Sequence, residues 1–270
     1  MNAPLFKQML KINLKGISNY AFGSAFYILL MFWLYPGIAQ NTGSLNELML
    51  ALPEGIVNAF GIQAGFGSME AFISGEYYGL ILPLLLSIFS IMLSTGLMAR
   101  LVDQGSMAYL LSTPTSRRHI AATQASVLIA GLLLIIVVTT AAGFIGYAMF
   151  IGDRYEFNGS RFLLLNVIAL MLFFAIGGIS FFVSALSSDE KKALGISGVI
   201  TFGMFGLDML GKISESVQWL RFVSLFSLYR PSEIVRGGGD AVLALVILFL
   251  IGLAGFIAGV IAFSKRDLPL

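Results

Sequence analysis

Six long apolar runs separated by short polar stretches organise the chain, at about residues 20–39, 77–99, 120–151, 162–186, 193–210 and 241–263. Each is near the roughly 20 residues that an α-helix needs to cross a hydrocarbon core, so each predicts a membrane-spanning helix. The third run is longer than a bilayer requires. Its first turns carry His119, Thr123, Gln124 and Ser126, so that helix is expected to start in water and enter lipid later. Pro83 and the Gly177-Gly178 pair lie inside runs without ending them, because neighbouring helices can satisfy freed backbone groups. Gly255 and Gly259, four residues apart, predict a close helix contact in the last span.

The segments between the runs have patterns of their own. In residues 1–18, Lys7, Lys11 and Lys15 fall on one helical face, and Leu5, Phe6, Met9, Leu10, Ile12 and Ile17 fall mostly on the other. A signal peptide would place its charges before a short apolar core. Here they are interleaved, which predicts an interfacial helix lying on a membrane leaflet. Residues 100–120 form a polar, basic island. A short amphipathic helix is expected over 105–111, burying Met107, Ala108, Leu110 and Leu111, with Asp103 and Ser106 at its N-terminal end. Pro114 stops it, and Arg117, Arg118 and His119 follow at headgroup level. Residues 211–240 are apolar but interrupted by Arg221 and Arg230, and are too short for a further hairpin of spans. Re-entrant or interfacial helices are expected there, with Trp219 and Tyr229 at the lipid headgroups. The half-apolar 40–76 loop is expected to pack on the same outer surface.

Composition agrees with the pattern. The chain is 58% hydrophobic and 11% charged, with a mean hydropathy of +0.92, whereas soluble domains are closer to one-quarter charged. The expected fold is all-α and polytopic: an interfacial helix at 1–18 and a single six-span domain at 19–270. A net charge of +2 gives no reason to expect nucleic acid. The absence of cysteine excludes disulfides, thiolate metal sites and cysteine nucleophiles. With one histidine and no cluster of His, Asp and Glu, no catalytic metal site is expected.

Lysine and arginine set the orientation. With six spans, one side carries ten of them: Lys7, Lys11, Lys15, Arg100, Arg117, Arg118, Lys191, Lys192, Lys265 and Arg266. The other carries Arg154, Arg161, Lys212, Arg221, Arg230 and Arg236, and its 40–76 loop holds Glu47, Glu54, Glu70 and Glu76 with no cation. Both termini and the 100–120 island are therefore expected in the cytoplasm of a cell whose plasma (bacterial inner) membrane holds the protein.

Little in the spans can do chemistry. Residues 206–212 match the start of a phosphate-binding loop, but Ile213 stands where a hydroxyl must reach magnesium, and no strand precedes it. Asn158-Gly159-Ser160 reads as a tight turn rather than a glycosylation site. Asp208 is the one charged residue inside the six runs away from their ends, and its place near the outer boundary predicts that it is wet. A charge at mid-bilayer costs at least about 2.5 kcal/mol, so proton and ion pathways stand out when present. None does here, and energy for uphill movement must come from another subunit. Ser87, Ser94, Asn166 and Ser180 are candidates to line a mildly polar path; the same side chains also serve as hydrogen-bonding contacts between helices.

The stretch Asp103-Gln-Gly105-Ser-Met-Ala-Tyr109-Leu110-Leu111-Ser-Thr-Pro114-Thr-Ser-Arg117 resembles the coupling loop of the type-2 ABC transporter permease family. In that family an acidic residue shortly before Gly, then a Leu-Leu-Ser-x-Pro-x-Ser-Arg run, joins the second and third of six spans. The likeness extends through Leu52-Pro53, Phe60-Gly61 and Gly75, the 225–231 segment, and the closing Lys265-Arg266-Asp267-Leu268. Asp103 stands in place of the more usual Glu, and Gln124 where many members carry Lys.

The resemblance implies a permease subunit of an exporter for a hydrophobic or amphipathic solute, a peptide, lipid or drug. Residues 1–18 would be the elbow helix, and 105–111 the coupling helix on a separate ATPase subunit. Asp103, Gly105, Tyr109, Leu110, Leu111, Pro114, Arg117 and Arg118 are the expected contact residues, although Leu110 would equally pack on the chain's own helices. Two permease halves, as a homodimer or with a paralogue, and two ATPase subunits would make the working unit. ATP and magnesium would sit in the partner, with no cofactor and no catalysis in this chain, and alternating access would be the mechanism. A membrane-embedded enzyme, or a sensor or assembly protein without transport, is the alternative.

Overall fold

The computed structural model describes residues 2–59, 65–238 and 240–267; Phe60, Gly61 and Leu268, to which the family likeness extends, lie outside them. Every regular element among the described residues is helical, as lipid demands of a chain whose backbone groups must pair within themselves. The first span is α1 (Ala3–Ala39), followed by the short α2 (Thr42–Leu50) and α3 (Glu54–Ala59). The second is composite: α4 (Met69–Glu76), a π-helical turn at Tyr77–Ile81, α5 (Leu82–Leu97) and α6 (Ala99–Asp103). Then come α7 (Ser106–Leu111), α8 (Arg117–Gly146) with a π-turn at Tyr147–Ile151, α9 (Gly159–Leu186), α10 (Glu190–Ile213), α11 (Pro231–Val235) and α12 (Ala241–Lys265). Six of these stretches are long and apolar enough to cross a membrane, and each contains one of the six runs. Because the spans alternate, the 99–118 loop shares one end of the bundle with Asn2, residues 187–189 and Arg266. We call this the loop end, and the other the far end.

The amphipathic segment at the N-terminus does not stand apart from the first span. Asn2 caps α1 by accepting from Leu5 N–H at 3.1 Å, and the helix then runs 37 residues without a break. Nothing near Gly16 ends the helix: Ser18 and Asn19 stay inside it, Asn13 bonds back to the Met9 carbonyl at 2.8 Å, and a single glycine is tolerated. The amphipathy itself is as expected: Lys7, Lys11 and Lys15 are exposed, while Met9 and Ile17 are buried.

The second span starts earlier than hydropathy suggests. Met69, Ile73 and Glu70, expected in a surface loop, are buried, and Ser68 caps their helix by accepting from Ala71 N–H at 3.2 Å. Glu70 can sit inside because its carboxylate accepts the backbone N–H of Asn158. Asn158 is itself a helix cap rather than part of a tight turn, accepting from Arg161 N–H at 3.1 Å. The π-turn has a local cause. An α-helical ring at Pro83 would press on the carbonyl of Gly79, and widening the preceding turn relieves the clash.

Two contacts hold the bundle. The hydroxyls of Ser24 and Tyr77 share a 2.5 Å hydrogen bond, and Ser24 also meets Thr139, so α1, the second span and α8 are joined by polar groups in the apolar interior. Between α9 and α12 the backbones touch: a Cβ on Gly255 would lie 2.6 Å from the carbonyl carbon of Gly178. Gly255 and Gly259 thus make the expected close contact, with Gly178 opposite.

The far end corrects two further expectations. The described residues after α10 fold as 3-10 turns at Glu215–Val223 and Leu225–Leu228, followed by α11. Trp219 is 60% exposed, but Tyr229 is only 4% exposed, enclosed in the core instead of at a surface. Asp208, expected to be wet, is 2% exposed. Its Oδ2 meets Lys212 Nζ at 2.6 Å, one helical turn on, and its Oδ1 meets Arg221 Nε at 3.2 Å. Burial is tolerated because two cations replace the lost water. Residues 206–212 are helical, which leaves no phosphate-binding loop there.

Candidate functional site

The loop end is built around an interruption. Helix α5 ends at Leu97, Met98 takes φ −125° and ψ −75°, and α6 restarts at Ala99. Ser184 of α9 bridges the gap. Its hydroxyl accepts from Ala99 N–H at 3.1 Å and donates to the Ser94 carbonyl at 3.0 Å. A backbone break in the interior is thereby hydrogen-bonded on both sides.

The turn between α6 and α7 is made by Gly105, whose φ of +70° favours glycine. It serves as the cap of a helix beginning at Ser106, one residue later than expected, so neither Ser106 nor Asp103 caps it. Helix α7 drives Met107 into the core, fully buried, and rests Leu110 and Leu111 against it, while Tyr109 is 81% exposed. Two hydroxyls close the helix end: Ser112 donates to the Tyr109 carbonyl at 2.9 Å and Thr113 to the Leu110 carbonyl at 2.6 Å. Ser116 then caps α8, its Oγ 2.9 Å from His119 Nδ1.

The polar ends of the loop are tied to other parts of the chain. Arg100 Nε donates to Glu190 Oε1 at 2.7 Å, and Asp103 Oδ2 accepts from Glu190 N–H at 3.2 Å, so both grip the start of α10. Asn2 donates from Nδ2 to Thr115 Oγ1 at 3.0 Å and from its backbone to Thr123 Oγ1 at 2.9 Å. Arg117 Nη1 donates to the Arg266 carbonyl at 2.8 Å. Arg266 in turn donates to the carbonyls of Ala185 at 2.7 Å and Ser187 at 3.0 Å and to Ser188 Oγ, closing the C-terminal end of α9. Burial lowers the pKa of its guanidinium from the ordinary arginine value. Arg266→Gln is expected to free the α9 end at a cost of about 1–2 kcal/mol. Hydrogen exchange should rise at 185–189 and at 117–120, and an unchanged pattern would refute the clasp.

Of the contact residues expected from the sequence, Tyr109, Pro114, Arg118 and Gly105 face solvent. Asp103 and Arg117 make the internal ties above, and Leu110 and Leu111 pack half-buried against the core. The four path candidates, Ser87, Ser94, Asn166 and Ser180, are all buried between the chain's own helices. Ser94 donates to the Ile91 carbonyl at 3.0 Å and Asn166 to the Phe162 carbonyl at 2.9 Å. Ser184, Glu190 and Asn2 escaped the sequence reading. Glu190 left a trace there, as an acid opening a span that faces the Arg100 loop. Ser184 and Asn2 left none, since a serine in an apolar run or an asparagine near a terminus is unremarkable. Among the described residues no group of three His, Cys, Asp or Glu is placed to hold a metal ion.

A family model described as "ABC-2 family transporter protein" matches residues 17–268, which include five spans, most of the first and the 99–118 loop. No curated protein matches the chain.

Proposed function

The chain belongs to the ABC-2 family of transporter proteins, and from that premise we propose that it is the permease subunit of an ATP-driven exporter. Members of the family usually work with ABC ATPase partners. The loop end is the docking site for that partner, and the membrane body forms half of a path for a hydrophobic or amphipathic solute. Two permease halves and two ATPases make the working unit, both termini are cytoplasmic, and ATP and magnesium belong to the partner.

One observation carries the docking reading: a large aromatic side chain, Tyr109, stands 81% exposed on a helix whose flanks are fastened to α1, α9, α10 and the segment after α12. Aromatic anchors of this kind dominate interfaces. A push on α7 cannot be absorbed locally, because Met107 is locked in the core and the flanking polar ties carry the displacement into four other segments. Alternating access then follows closure of the partner dimer.

The test is co-purification with an ABC ATPase subunit co-expressed from the same cell. Tyr109→Ala is expected to reduce bound ATPase and substrate-stimulated hydrolysis by ~10-fold or more, with the melting temperature of the permease close to wild type because the side chain is exposed. Unchanged binding and turnover would place docking elsewhere. The chain has no cysteine, so Thr113→Cys and Ser44→Cys report orientation directly. An impermeant thiol reagent added outside cells should label position 44 only.

A further inference from the structure

Hydropathy assigns residues 1–18 to the edge of the membrane, but packing carries them deeper. Close contacts fix the level of each helix against the next. A Cβ on Gly131 of α8 would lie 3.4 Å from Cδ1 of Ile17 on α1. One on Gly177 of α9 would lie 3.5 Å from Leu128 and from Leu132 of α8, on either side of Gly131. Gly178 meets the backbone of α12, a Cβ there lying 3.1 Å from the Gly252 Cα. Ile17, Gly131, Gly177 and Gly252 therefore share one level, and Gly252 stands at the middle of the apolar span Ala241–Lys265. At 1.5 Å per residue, Lys7 is about 15 Å from that level, Lys11 about 9 Å and Lys15 about 3 Å. Half a hydrocarbon core is also about 15 Å thick, so Lys7 reaches the headgroups at the loop end while Lys15 is near mid-bilayer. A lysine stem spans about 6 Å, enough to carry the Lys11 ammonium to the headgroups and too little for Lys15.

These lysines are exposed, α1 itself holds no Asp or Glu, and among the described residues no carboxylate forms an ion pair with them. The helical repeat puts Ser18, Phe22 and Phe26 on the same face, farther from the loop end. Phe22 and Phe26 are 72% and 57% exposed, and their rings stack at 6.2 Å. Around the same level the outward side chains of α8 and α12 are Leu133, Val137, Leu250 and Leu253, as contact with lipid requires. Lipid cannot solvate an ammonium at that depth, so a lysine there faces a water-filled space within the assembly. The polar side chains Ser87, Ser94, Asn166 and Ser180 are enclosed within the chain's own bundle and leave that role to α1.

We propose that this face of α1 lines the path between the two halves and that the path takes an anionic amphiphile. Lys15 and Lys11 hold the anionic group of the solute, and Phe22 and Phe26 carry its apolar chain toward the far end. Unpaired positive charge on a helix without carboxylates selects the sign of the ligand. Resident lipid is not the occupant, because its headgroups stay about 15 Å from the level of Ile17. The inference rests on the reading of the chain as half of a transport path and adds the charge of what passes.

Two measurements test it, and neither involves the ATPase, so a failed docking test and a failed path are told apart. Ser18→Cys and Leu250→Cys are made singly in the cysteine-free chain. Open membrane fragments of each are treated with a charged methanethiosulfonate, which attacks the thiolate and hence needs water. Ser18→Cys is expected to react ~10-fold or more faster than Leu250→Cys. Equal rates would put this face of α1 in lipid and overturn the proposal. Binding of dodecyl phosphate and of dodecylphosphocholine is then followed by native mass spectrometry on the full chain purified in a neutral maltoside detergent. Dodecyl phosphate is expected to bind ~10-fold or more tightly, the scale of a charge-assisted hydrogen bond. Lys15→Gln should remove most of that preference and Lys15→Arg should keep it. Both variants should melt near wild type, because the side chain is exposed. Equal binding of the two amphiphiles, or a preference indifferent to Lys15→Gln, overturns the proposal.

Discussion

Gly178→Leu is expected to force α9 and α12 apart and to destabilise the chain by about 3 kcal/mol or more, at the upper end of overpacking costs. A Cβ at this position would run into the Gly252 carbonyl oxygen and come within 3.1 Å of the Gly252 Cα. The obstacle is backbone, so no rotamer change can make room, and α12 must move as a body. That move also withdraws Phe256 from its ring contacts with Phe174 and Phe181, at centroid distances of 5.1 Å and 5.6 Å. Gly195→Leu on α10 is the control, because a Cβ there meets nothing within 4 Å. Thermal melts of the two variants in detergent should separate clearly. If they coincide, the glycine contact does not hold the pair together.

Asp208→Ala should be nearly as damaging, by about 2–3 kcal/mol. Breaking a fully buried ion pair from one side costs about 3–5 kcal/mol, and here Lys212 and Arg221 keep side-chain exposures of 25% and 20%, so water recovers part of the loss. The damage is local. It falls on the junction of α10 with the Glu215–Val223 turn, where the Arg221 side chain lies against Gly211. Trp219, exposed and two residues from Arg221, reports it through its fluorescence. The variant in which Asp208, Lys212 and Arg221 are all replaced by apolar residues of similar volume should regain much of the stability, because no charge is then stranded. A triple variant as unstable as Asp208→Ala would mean that the carboxylate acts through something other than its two cations.

Both effects involve residues whose partners lie far away in the chain or across a turn, and that separation marks how far the sequence could be read. Whether a run spans a membrane depends on its own side chains alone. The backbone pairs within the helix, and transfer to lipid adds up residue by residue, so the spans at 120–151, 162–186 and 241–263 were legible with ends only a few residues off. The α7 knob was legible for the same reason. Its stop at Pro114, its apolar Met107 and its exposed Tyr109 are properties of fewer than a dozen consecutive residues. The break between an interfacial helix and the first span was misread, because amphipathy in 1–18 says which face is wet and not where the helix ends.

Only the tertiary structure decided which polar groups go inside. Glu70, Asp208 and Tyr229 have the local surroundings of surface residues, and each is buried because a distant element closes over it: the Asn158 backbone, the Arg221 side chain, the core around Tyr77. Ser184 became the splint for a break at Met98 in the same way, through packing of α9 on α5. Hydropathy is a sum along the chain and can be taken from the sequence in hand. The free energy of a buried charge or hydroxyl depends on a partner that only folding brings within 3 Å or so, and that partner has no fixed place in the order of residues.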